Sequence, residues 1–477
     1  MDLNLNQTLQ NKYPHLEVSV LKYSDAMKDN DSKRIDSVYF MNKYLLNDKE
    51  ISDFIPLRNI AIIKSGTTPK DRDENLKSGV ILLKTNNIRN NVLSNSDDYF
   101  YIDENTNLKM KSTQLKQGDV LINIVGATTD VIGRIAYIPN NFEKANITQA
   151  MAFLRIKNSD FLSGFLFIAL QCNNTKLQIE RLARPTGQFN LNLEEVKQIK
   201  IPLFPLEFQQ QIEQMVRESH ECLEQSKGLY REAEVLLYRE LGLDPENPLA
   251  SIETHSGSLN ISVRPLSQSL NTTGRLDSEY YQQKYDEIEK VIKNYRGGYF
   301  QLSLFELRDK NFTPQAQTKY RYIELANIGT NGNISEPIVD FGENLPSRAR
   351  RIVKTGDMII SSIEGSLQSC ALITDEFNNC IVSTGFYVLK SSNLNSETLL
   401  VLFKSKLFQD YLHKFSNGTI LTAISKDELQ NIVIPKIAIE TQTQIAEKIK
   451  QSFALRKKAS ELLQTAKQSV ETAIEKG

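Results

Sequence analysis

LEEVKQIKIPLFPLEFQQQIEQMV, residues 193–216, returns near the C-terminus as KDELQNIVIPKIAIETQTQIAEKI, residues 426–449. In both copies a short run that contains β-branched residues ends at an Ile-Pro pair, and a helical pattern follows. A repeat at this distance, in a chain of 477 residues, predicts two similar halves in tandem.

Three further pairs of segments support the duplication, and they occur in the same order in each half. They are RIDSVYF from Arg34 with RLDSEYY from Arg275, GDVLINIVGAT from Gly118 with GDMIISSIEGS from Gly356, and NITQAMAFLRIKN from Asn146 with CIVSTGFYVLKSS from Cys380. Several matched segments in one order are difficult to obtain by chance. The chain is therefore predicted to carry one type of domain twice.

Each half alternates short apolar runs with Gly, Asn and Asp turns before the pattern changes to a long helix. The runs at 80–83, 120–125 and 150–156 are typical of strands in a small mixed domain. Apolar and small residues then recur at helical spacing through 206–242, which predicts a helix about 55 Å long. We expect an α+β fold with two tandem similar mixed α/β domains, separated by two long antiparallel, coiled-coil-like helices with pseudo-two-fold symmetry.

The second half carries the same helical stripe, with Arg456 as its one charged member. Matched stripes bury best against each other, so an antiparallel helix pair is the economical arrangement. The alternative is that each helix packs only on its own domain. The side chains predicted to line the pair are Ile212, Val216, Leu223, Tyr230, Leu237, Ile445, Ile449, Leu463 and Val470.

Composition excludes several classes of protein. The chain is 40% hydrophobic and 24% charged, as ordinary globular proteins are, and its length predicts two to four domains. Its 4 cysteines form no C-x-x-C pair, and no apolar run approaches the ~20 residues that span a bilayer. The N-terminus also lacks the pattern of a secretory leader. We expect a cytoplasmic protein without structural disulfides or membrane segments.

Motifs of catalysis are missing from the sequence. An adenine methyltransferase needs an Asn/Asp-Pro-Pro-aromatic loop, and a nucleotide-driven motor needs G-x-x-x-x-G-K-[ST]; neither string occurs. The triplet Glu195-Val196-Lys197 lacks the Pro-Asp that a metal nuclease requires, so we expect it on a solvated helix face. The histidines are scattered without metal-binding spacing. No metal and no cofactor is expected.

The repeated motifs resemble the specificity subunit of type I restriction-modification enzymes over nearly the whole chain. The resemblance rests on the R-x-D-S-x-Y opening of each half, on the Gly-Asp pair before the central strand, and on the closing Ile-Pro signature. The second copy departs from the family pattern at 437–439, where Ile-Ala-Ile stands in place of a second proline. The matched residues are Arg34, Asp36, Ser37, Tyr39, Gly118 and Asp119, and Arg275, Asp277, Ser278, Tyr280, Gly356 and Asp357.

The resemblance implies a non-catalytic protein that reads a split, asymmetric sequence in double-stranded DNA. It implies target recognition domains at 1–205 and 244–436, a spacer helix at 206–243 and a C-terminal helix at 437–477 that pairs with it. The helices of such proteins set the distance between the two parts of the target, and two methyltransferase subunits dock on them. Two restriction subunits, which are motor-nucleases, complete the complex.

Polar loops between the strands supply the candidates for DNA contact, because their side chains match base edges and phosphates. Each loop alone is typical of an ordinary turn, and recurrence at equivalent places is what favours DNA. The cations within 348–354 suggest a phosphate clamp. First-half candidates are Lys84, Thr85, Asn86, Asn87, Arg89, Thr128, Arg184, Thr186, Gln188 and Asn190. Second-half candidates are Asn327, Arg348, Arg350, Arg351, Lys354, Ser366, Gln368, Asn417 and Thr419.

The charge balance of the whole chain gives no sign of DNA, since 57 Lys+Arg face 58 Asp+Glu. By segment, 51–200 carry 19 Lys+Arg against 15 Asp+Glu, 296–436 carry 15 against 14, and 206–242 carry 4 against 8. This distribution predicts weak DNA binding by the chain alone and a protein partner for the acidic helix. Open alternatives are a tandem module for another ligand, the specificity chain of a related type II restriction-methylation complex, and an enzyme whose site the sequence does not reveal.

Overall fold

The computed structural model describes residues 3–28, 30, 32–51, 53–70, 73, 75–89, 91–93, 99–128, 131–185, 187–253, 262–269, 274–329, 331–417 and 422–476. The chain divides into two compact units, the first of Met1–Cys222 with Lys458–Gly477 and the second of Leu223–Lys457. Across these described ranges, no helix combines the length and the apolar character that crossing a membrane requires.

The first unit is a mixed α/β domain. Its helices are α1 (Leu3–Lys12), α2 (Tyr23–Met27), α3 (Asn42–Glu50), α4 (Leu57–Ile60), α5 (Glu104–Lys109), α6 (Ser163–Ala169), α7 (Asn173–Leu182) and α8 (Leu193–Gln198). Its strands are β1 (Ile55–Pro56), β2 (Ala61–Ser65), β3 (Val80–Leu83), β4 (Ile88–Arg89), β5 (Val92–Leu93), β6 (Phe100–Ile102), β7 (Val120–Asn123), β8 (Val125–Gly126), β9 (Ile135–Tyr137), β10 (Ala145–Ile147), β11 (Met151–Ile156), β12 (Arg184–Pro185), β13 (Phe189–Asn190) and β14 (Lys200–Ile201).

The second unit has the same mixed character. The long helix α9 (Leu206–Glu240) contributes residues to both units. The helices that follow are α10 (Ala250–Glu253), α11 (Leu266–Gln268), α12 (Gln283–Lys293), α13 (Ser396–Lys404), α14 (Lys406–His413), α15 (Lys426–Asn431) and α16 (Ile439–Lys476), of which α16 also contributes to both units. The strands are β15 (Tyr299–Gln301), β16 (Glu306–Leu307), β17 (Lys319–Ile323), β18 (Ile338–Phe341), β19 (Ala349–Ile352), β20 (Met358–Ser361), β21 (Cys370–Leu372), β22 (Ile381–Ser383), β23 (Phe386–Lys390), β24 (Ser416–Asn417), β25 (Ala423–Ile424) and β26 (Val433–Pro435).

The sheets of the two units have the same strand order. The main sheet is β2-β11-β7-β9 in the first unit and β16-β23-β20-β21 in the second. A second sheet holds the parallel pair β10 and β3 in one unit and the parallel pair β22 and β17 in the other, where β19 adds a fourth strand. The Ile-Pro strands β14 and β26 each pair antiparallel with the first strand of their own unit. The duplication read from the sequence is therefore present in the topology.

The Gly-Asp pair of each half forms the turn into the central strand. Gly118 and Gly356 have φ angles of +80° and +84°, which glycine adopts without steric cost. The carboxylate of Asp119 accepts a hydrogen bond from the backbone N–H of Lys116 at 2.7 Å, and Asp357 accepts one from the N–H of Lys354 at 2.8 Å. The motif is a turn that fixes where β7 and β20 begin.

The two long helices contact each other within the first unit. Ile212 and Val216 of α9 are buried in the same apolar cluster as Ala466 and Val470 of α16, together with helix α6 of the domain. Ser219 Oγ donates to the carbonyl oxygen of Ala459 at 2.9 Å, and both residues are buried. The stripe therefore packs on the partner helix and on its own domain at once.

The second unit repeats this double packing. Ser226 Oγ lies 2.8 Å from Ser452 Oγ, and Glu240 accepts a hydrogen bond from Thr441 at 2.9 Å. Residues later in α9 therefore contact residues earlier in α16. The helices are antiparallel here, as in the first unit. Of the side chains predicted to line the pair, Leu223 and Leu463 are half-buried; the buried ones are Ile212, Val216, Tyr230, Leu237, Ile445, Ile449 and Val470. The expected α+β fold class is confirmed.

Candidate nucleic-acid interface

Three candidate loops of the first unit adjoin the end of one strand. Asn123, the last residue of β7, donates from Nδ2 to the carbonyl oxygen of Thr85 at 3.0 Å. Strand β8 follows, leads directly to Thr128, and pairs with β13 through Gly126 and Phe189. The loops around 84–89, 126–128 and 184–190, which lie far apart in sequence, thus meet at the carboxyl end of the central strand.

The second unit brings its turns together at the equivalent strand end. The backbone N–H of Glu364 donates to Thr422 O at 3.0 Å, and the N–H of Ile424 donates to Ser362 O at 2.8 Å, which joins the turn after β20 to strand β25. Lys404 Nζ donates to the carbonyl oxygens of Gly329 and Gln368, both at 2.8 Å. The turns at 327–329, 362–368 and 422–424 are therefore linked to one another.

Asn87 and Asn327 hold their own turns. Each closes a short 3-10 turn that follows the parallel strand of its unit: Asn87 Oδ1 accepts the N–H of Lys84 at 2.7 Å, and Asn327 Oδ1 accepts the N–H of Glu324 at 2.9 Å. Asn87 is 0% exposed. Asn327 also donates to Ser335 Oγ and to Glu336 O. Both side chains are hydrogen-bonded within the protein, Asn87 in the interior and Asn327 at a half-buried position.

Arg184 is bound to a buried carboxylate. Its Nε donates to Glu195 Oε1 at 2.6 Å, and Glu195 is 2% exposed. The same Glu195 closes a capping box with Asn192, accepting the N–H of Asn192 at 2.8 Å while its own N–H donates to Asn192 Oδ1 at 2.9 Å. The expectation that Glu195 lies on a solvated face is wrong, because this carboxylate caps α8 and binds Arg184. Lys197 does pair on the surface, with Glu194.

The remaining first-unit candidates lie at the surface or near it. Asn86, Arg89, Thr128 and Gln188 are exposed, and Lys84, Thr85 and Asn190 are half-buried. Arg89 Nε donates to Asn86 O at 3.3 Å, which keeps the guanidinium beside the turn. Asn190 donates to Gln188 O at 3.2 Å inside the hairpin. Thr186 lies outside the described residues.

The four cations at 348–354 do not form one cluster. Arg348 is exposed, and its carbonyl oxygen accepts the N–H of Thr384 at 2.8 Å. Lys354 lies in the turn that precedes β20, and the whole strand, about 13 Å long, separates that turn from the one that follows Ser361. The predicted phosphate clamp is therefore divided between the two ends of the strand.

The two middle cations of that segment are held by the protein. Arg350 Nε donates to Ser347 O at 2.8 Å. Arg351 donates to Phe386 O beneath the ring of Tyr387, and burial lowers the pKa of its guanidinium. Lys354 Nζ donates to Asn379 Oδ1, although its side chain is exposed. Arg351 is thus part of the scaffold of the sheet.

The other second-unit candidates divide by exposure. Ser366 is half-buried and bonded to Ser361 Oγ at 2.8 Å, whereas Gln368 is exposed. The backbone of Asn417 pairs with Ala423, but the Asn417 side chain and the whole of Thr419 lie outside the described residues.

Sequence reasoning missed the residues that join the loops. Gln171 Oε1 accepts from Asn91 Nδ2 at 2.9 Å in the first unit, and Lys404 makes the corresponding junction in the second. Burial lowers the pKa of Lys404. The two residues are separated by the same 233 residues as the closing motif. Each stands at the end of an apolar run, Gln171 just after α6 and Lys404 as the last residue of α13. A polar residue at this equivalent place in both halves was the available signal.

The chain is similar to type I restriction-modification specificity subunits. Residues 48–234 match the family described as the type I restriction modification DNA specificity domain. A curated relative is the type I restriction enzyme MjaVIII specificity subunit of Methanocaldococcus jannaschii, which is 22% identical over 348 residues, 69% of this chain and 73% of the relative.

Two solved structures are also similar over most of their length. One is the type I restriction-modification S subunit of M. genitalium, with 12% identity, a TM-score of 0.40, and coverage of 88% of this chain and 95% of that chain. The other is the HsdS subunit of Thermoanaerobacter tengcongensis, with 16% identity, a TM-score of 0.25, and coverage of 89% and 95%.

Proposed function

We propose that this chain reads a bipartite DNA target, with one part read by the loops of each unit. The observation that carries the proposal is the recurrence of one arrangement: in both units, loops distant in sequence meet at the carboxyl end of the central strand. Polar side chains at such a convergence can reach base edges and phosphates together. A protein with two such sites suits a target in two parts.

The DNA contacts are assigned to the exposed candidates. In the first unit these are Asn86, Arg89, Thr128 and Gln188, with Lys84, Thr85 and Asn190 beside them. In the second they are Arg348 and Gln368, with half-buried Ser366 beside Gln368 and with Arg350 and Lys354 as more distant phosphate contacts. Asn87, Asn327, Arg184 and Arg351 are assigned to holding the loops, because their polar groups are already bonded inside the protein. Thr186, Asn417 and Thr419 stay predictions.

The long helices are assigned to spacing and assembly. We take 1–205 and 244–436 as the target recognition domains, 206–243 as the spacer helix and 437–477 as its partner. The segment 206–242 carries 8 Asp+Glu against 4 Lys+Arg, and its glutamates are exposed or half-buried, so the helix is net acidic. Such a surface repels DNA and suits a protein partner, so the helices are the docking sites for two methyltransferase subunits. Two restriction subunits join that complex. The chain itself supplies no catalytic group and acts in the cytoplasm.

The test is methylation in cells. The full chain is expressed with its cognate methyltransferase subunit, and modified adenines are mapped by single-molecule sequencing. We expect one bipartite motif. Exchange of residues 51–200 for the equivalent segment of a relative changes one part of the motif only, and exchange of 296–436, the matched control, changes the other part only. A change in both parts from either exchange, or substrate turnover by the purified chain alone, contradicts the proposal.

A further inference from the structure

The opening motif of the first half binds the chain just before the reading hairpin. Arg34 donates to both carboxylate oxygens of Asp36, at 2.8 and 2.9 Å, and its Nη1 donates to the carbonyl oxygen of Arg181 at 2.8 Å. The Arg34 side chain is only 13% exposed. Arg181 is the last residue but one of α7, and β12 begins at Arg184. One guanidinium thus ties the opening motif to the base of the hairpin β12–β13.

The second half makes the same contacts with its own residues. Arg275 donates to both carboxylate oxygens of Asp277, at 2.8 and 2.9 Å. It also donates to the carbonyl oxygens of Lys414 and Ser416, at 3.3 and 3.1 Å. Ser416 is the first residue of β24, and the Arg275 side chain is 10% exposed. The hairpin β24–β25 is therefore held at its base in the same way.

The tyrosine of each motif completes the arrangement. In the first unit two cations lie close to the ring of Tyr39, with the guanidinium carbon of Arg34 at 4.9 Å and that of Arg181 at 4.2 Å from its centre. In the second unit Arg275 and Lys414 lie 4.5 and 5.1 Å from the ring of Tyr280. We call these two groups the opening clamps. Stacked cations over an aromatic face resist displacement, so each clamp is a rigid support.

The aspartates also serve two partners. Asp36 Oδ1 accepts the N–H of Tyr39 at 3.0 Å, and Asp277 Oδ1 accepts the N–H of Tyr280 at 3.0 Å. The hydrogen bonds from the clamp arginines hold the pKa of both carboxyl groups below its ordinary value. The aspartates are therefore anionic near neutral pH and orient the arginine forks.

We propose that Arg34 and Arg275 are positioning residues for DNA specificity, each fixing the base of the hairpin of its own unit, β12–β13 or β24–β25. The proposal rests on the function proposed above. In the first unit, β13 of the hairpin pairs with β8 and carries Asn190 beside exposed Gln188. A hairpin whose base moves presents these groups at the wrong place for a base edge, since direct readout depends on hydrogen-bond geometry.

The experiment compares Arg34→Lys with Arg275→Lys in the full chain, each expressed with the methyltransferase subunit. Lysine keeps the positive charge but lacks the planar fork that reaches a carboxylate and a carbonyl oxygen at once. Methylation is counted at cognate sites and at sites with one mismatch. For each variant we expect discrimination in one part of the motif to fall by about tenfold or more, because a displaced hairpin loses the contacts that penalise a mismatched base pair. Discrimination in the other part stays at the wild-type value, so each variant is the control for the other.

Two outcomes bear on the clamps separately from the proposed function. Loss of total methylation with unchanged base preference in both parts shows a merely structural role and overturns the inference, as does relaxation of both parts by one variant. If Arg34→Lys does not fold, as judged by circular dichroism, Asp36→Asn replaces it, since the amide oxygen still accepts the Tyr39 N–H but no longer holds the guanidinium by charge. Failure of the wild-type chain to direct methylation counts against the proposed function, not against the clamp.

Discussion

The Gly-Asp turns allow a prediction in which one half of the molecule is the control for the other. The perturbation is Asp119→Ala, with Asp357→Ala as its matched variant. Both carboxylates are buried, at 1% and 0% exposure, and both accept a backbone N–H at the start of the central strand. They differ in their cation. Arg155 grips Asp119 with Nε and Nη2, at 2.7 and 2.6 Å, whereas Arg308 reaches Asp357 with Nη1 alone, at 3.2 Å.

The expected losses of stability follow from these contacts. Removing Asp119 deletes two charge-assisted hydrogen bonds and leaves a guanidinium without its carboxylate, and losing one partner of a buried pair costs about 3–5 kcal/mol. Because Arg155 is 26% exposed and is partly rehydrated, we take the lower end, about 3 kcal/mol. Burial raises the pKa of Asp357, so its charged form is already disfavoured in the fold. Removing it costs about 1 kcal/mol, mostly for the orphaned N–H of Lys354.

Hydrogen exchange with peptide resolution is the suitable assay, because it reports the local opening free energy of each unit within one molecule. In Asp119→Ala, amides of β7 and β11 exchange about 100-fold faster than in the wild type, since about 3 kcal/mol corresponds to roughly two powers of ten. Amides of β20 and β23 are unchanged. In Asp357→Ala, β20 and β23 exchange about fivefold faster. Equal acceleration in the two variants, or none in β7, refutes the assignment of the bidentate pair as the stronger support.

Three further outcomes are expected. Because burial raises the folded-state pKa of Asp357, its stabilising contribution is complete below the ordinary aspartate pKa of 3.8 and is lost as pH rises through the raised value. Asp357→Asn therefore becomes more stable relative to wild type as pH rises above about 4 in urea titrations; a constant difference contradicts this. Glu195→Gln keeps the cap on α8 but removes the charge that holds Arg184. Methylome sequencing therefore shows an altered base preference in the first unit's part of the target, and urea titration shows a stability loss of about 1 kcal/mol. The control is Glu428→Gln, at the equivalent position in α15 of the second unit, which leaves that part of the target unchanged. Four residues inserted after Ser226, together with four before Ser452, lengthen each helix by about 6 Å and the target spacer by about one to two base pairs. Insertion in α9 alone abolishes methylation. An unchanged spacer with both insertions rejects the spacing role.

The architecture could be predicted from the sequence because both halves repeat the same apolar periodicity and the same turn residues. Ile212, Val216 and Val470 repeat at helical spacing, and burial of such a stripe is the largest favourable term available to a helix. The positions of Gly118 and Gly356 likewise predict a turn, since φ near +80° favours glycine. These features depend on short-range pattern, which one sequence contains in full.

The partners of the polar loop residues could not be predicted in this way. Asn87 and Asn86 have the same composition signal, yet Asn87 caps its turn at 0% exposure and Asn86 faces solvent. The sequence predicts Arg184 as a DNA contact, but in the structure it is bound by Glu195, eleven positions away. Such pairings depend on tertiary contacts between residues that no local pattern connects. The E-x-K triplet alone does not indicate that Glu195 is buried.

The duplication offers a way to separate loop supports from reading residues within one chain. A domain used twice to read two different sequences must keep its supports and vary its contacts. Asn87 and Asn327 recur with the same cap, and Arg34 and Arg275 recur with the same clamp. By this reasoning identical residues at equivalent positions mark the scaffold, and the readers lie where the halves differ. Exposed Gln188 belongs to that second class, because it stands on a hairpin whose base is held alike in both units but whose sequence is not repeated.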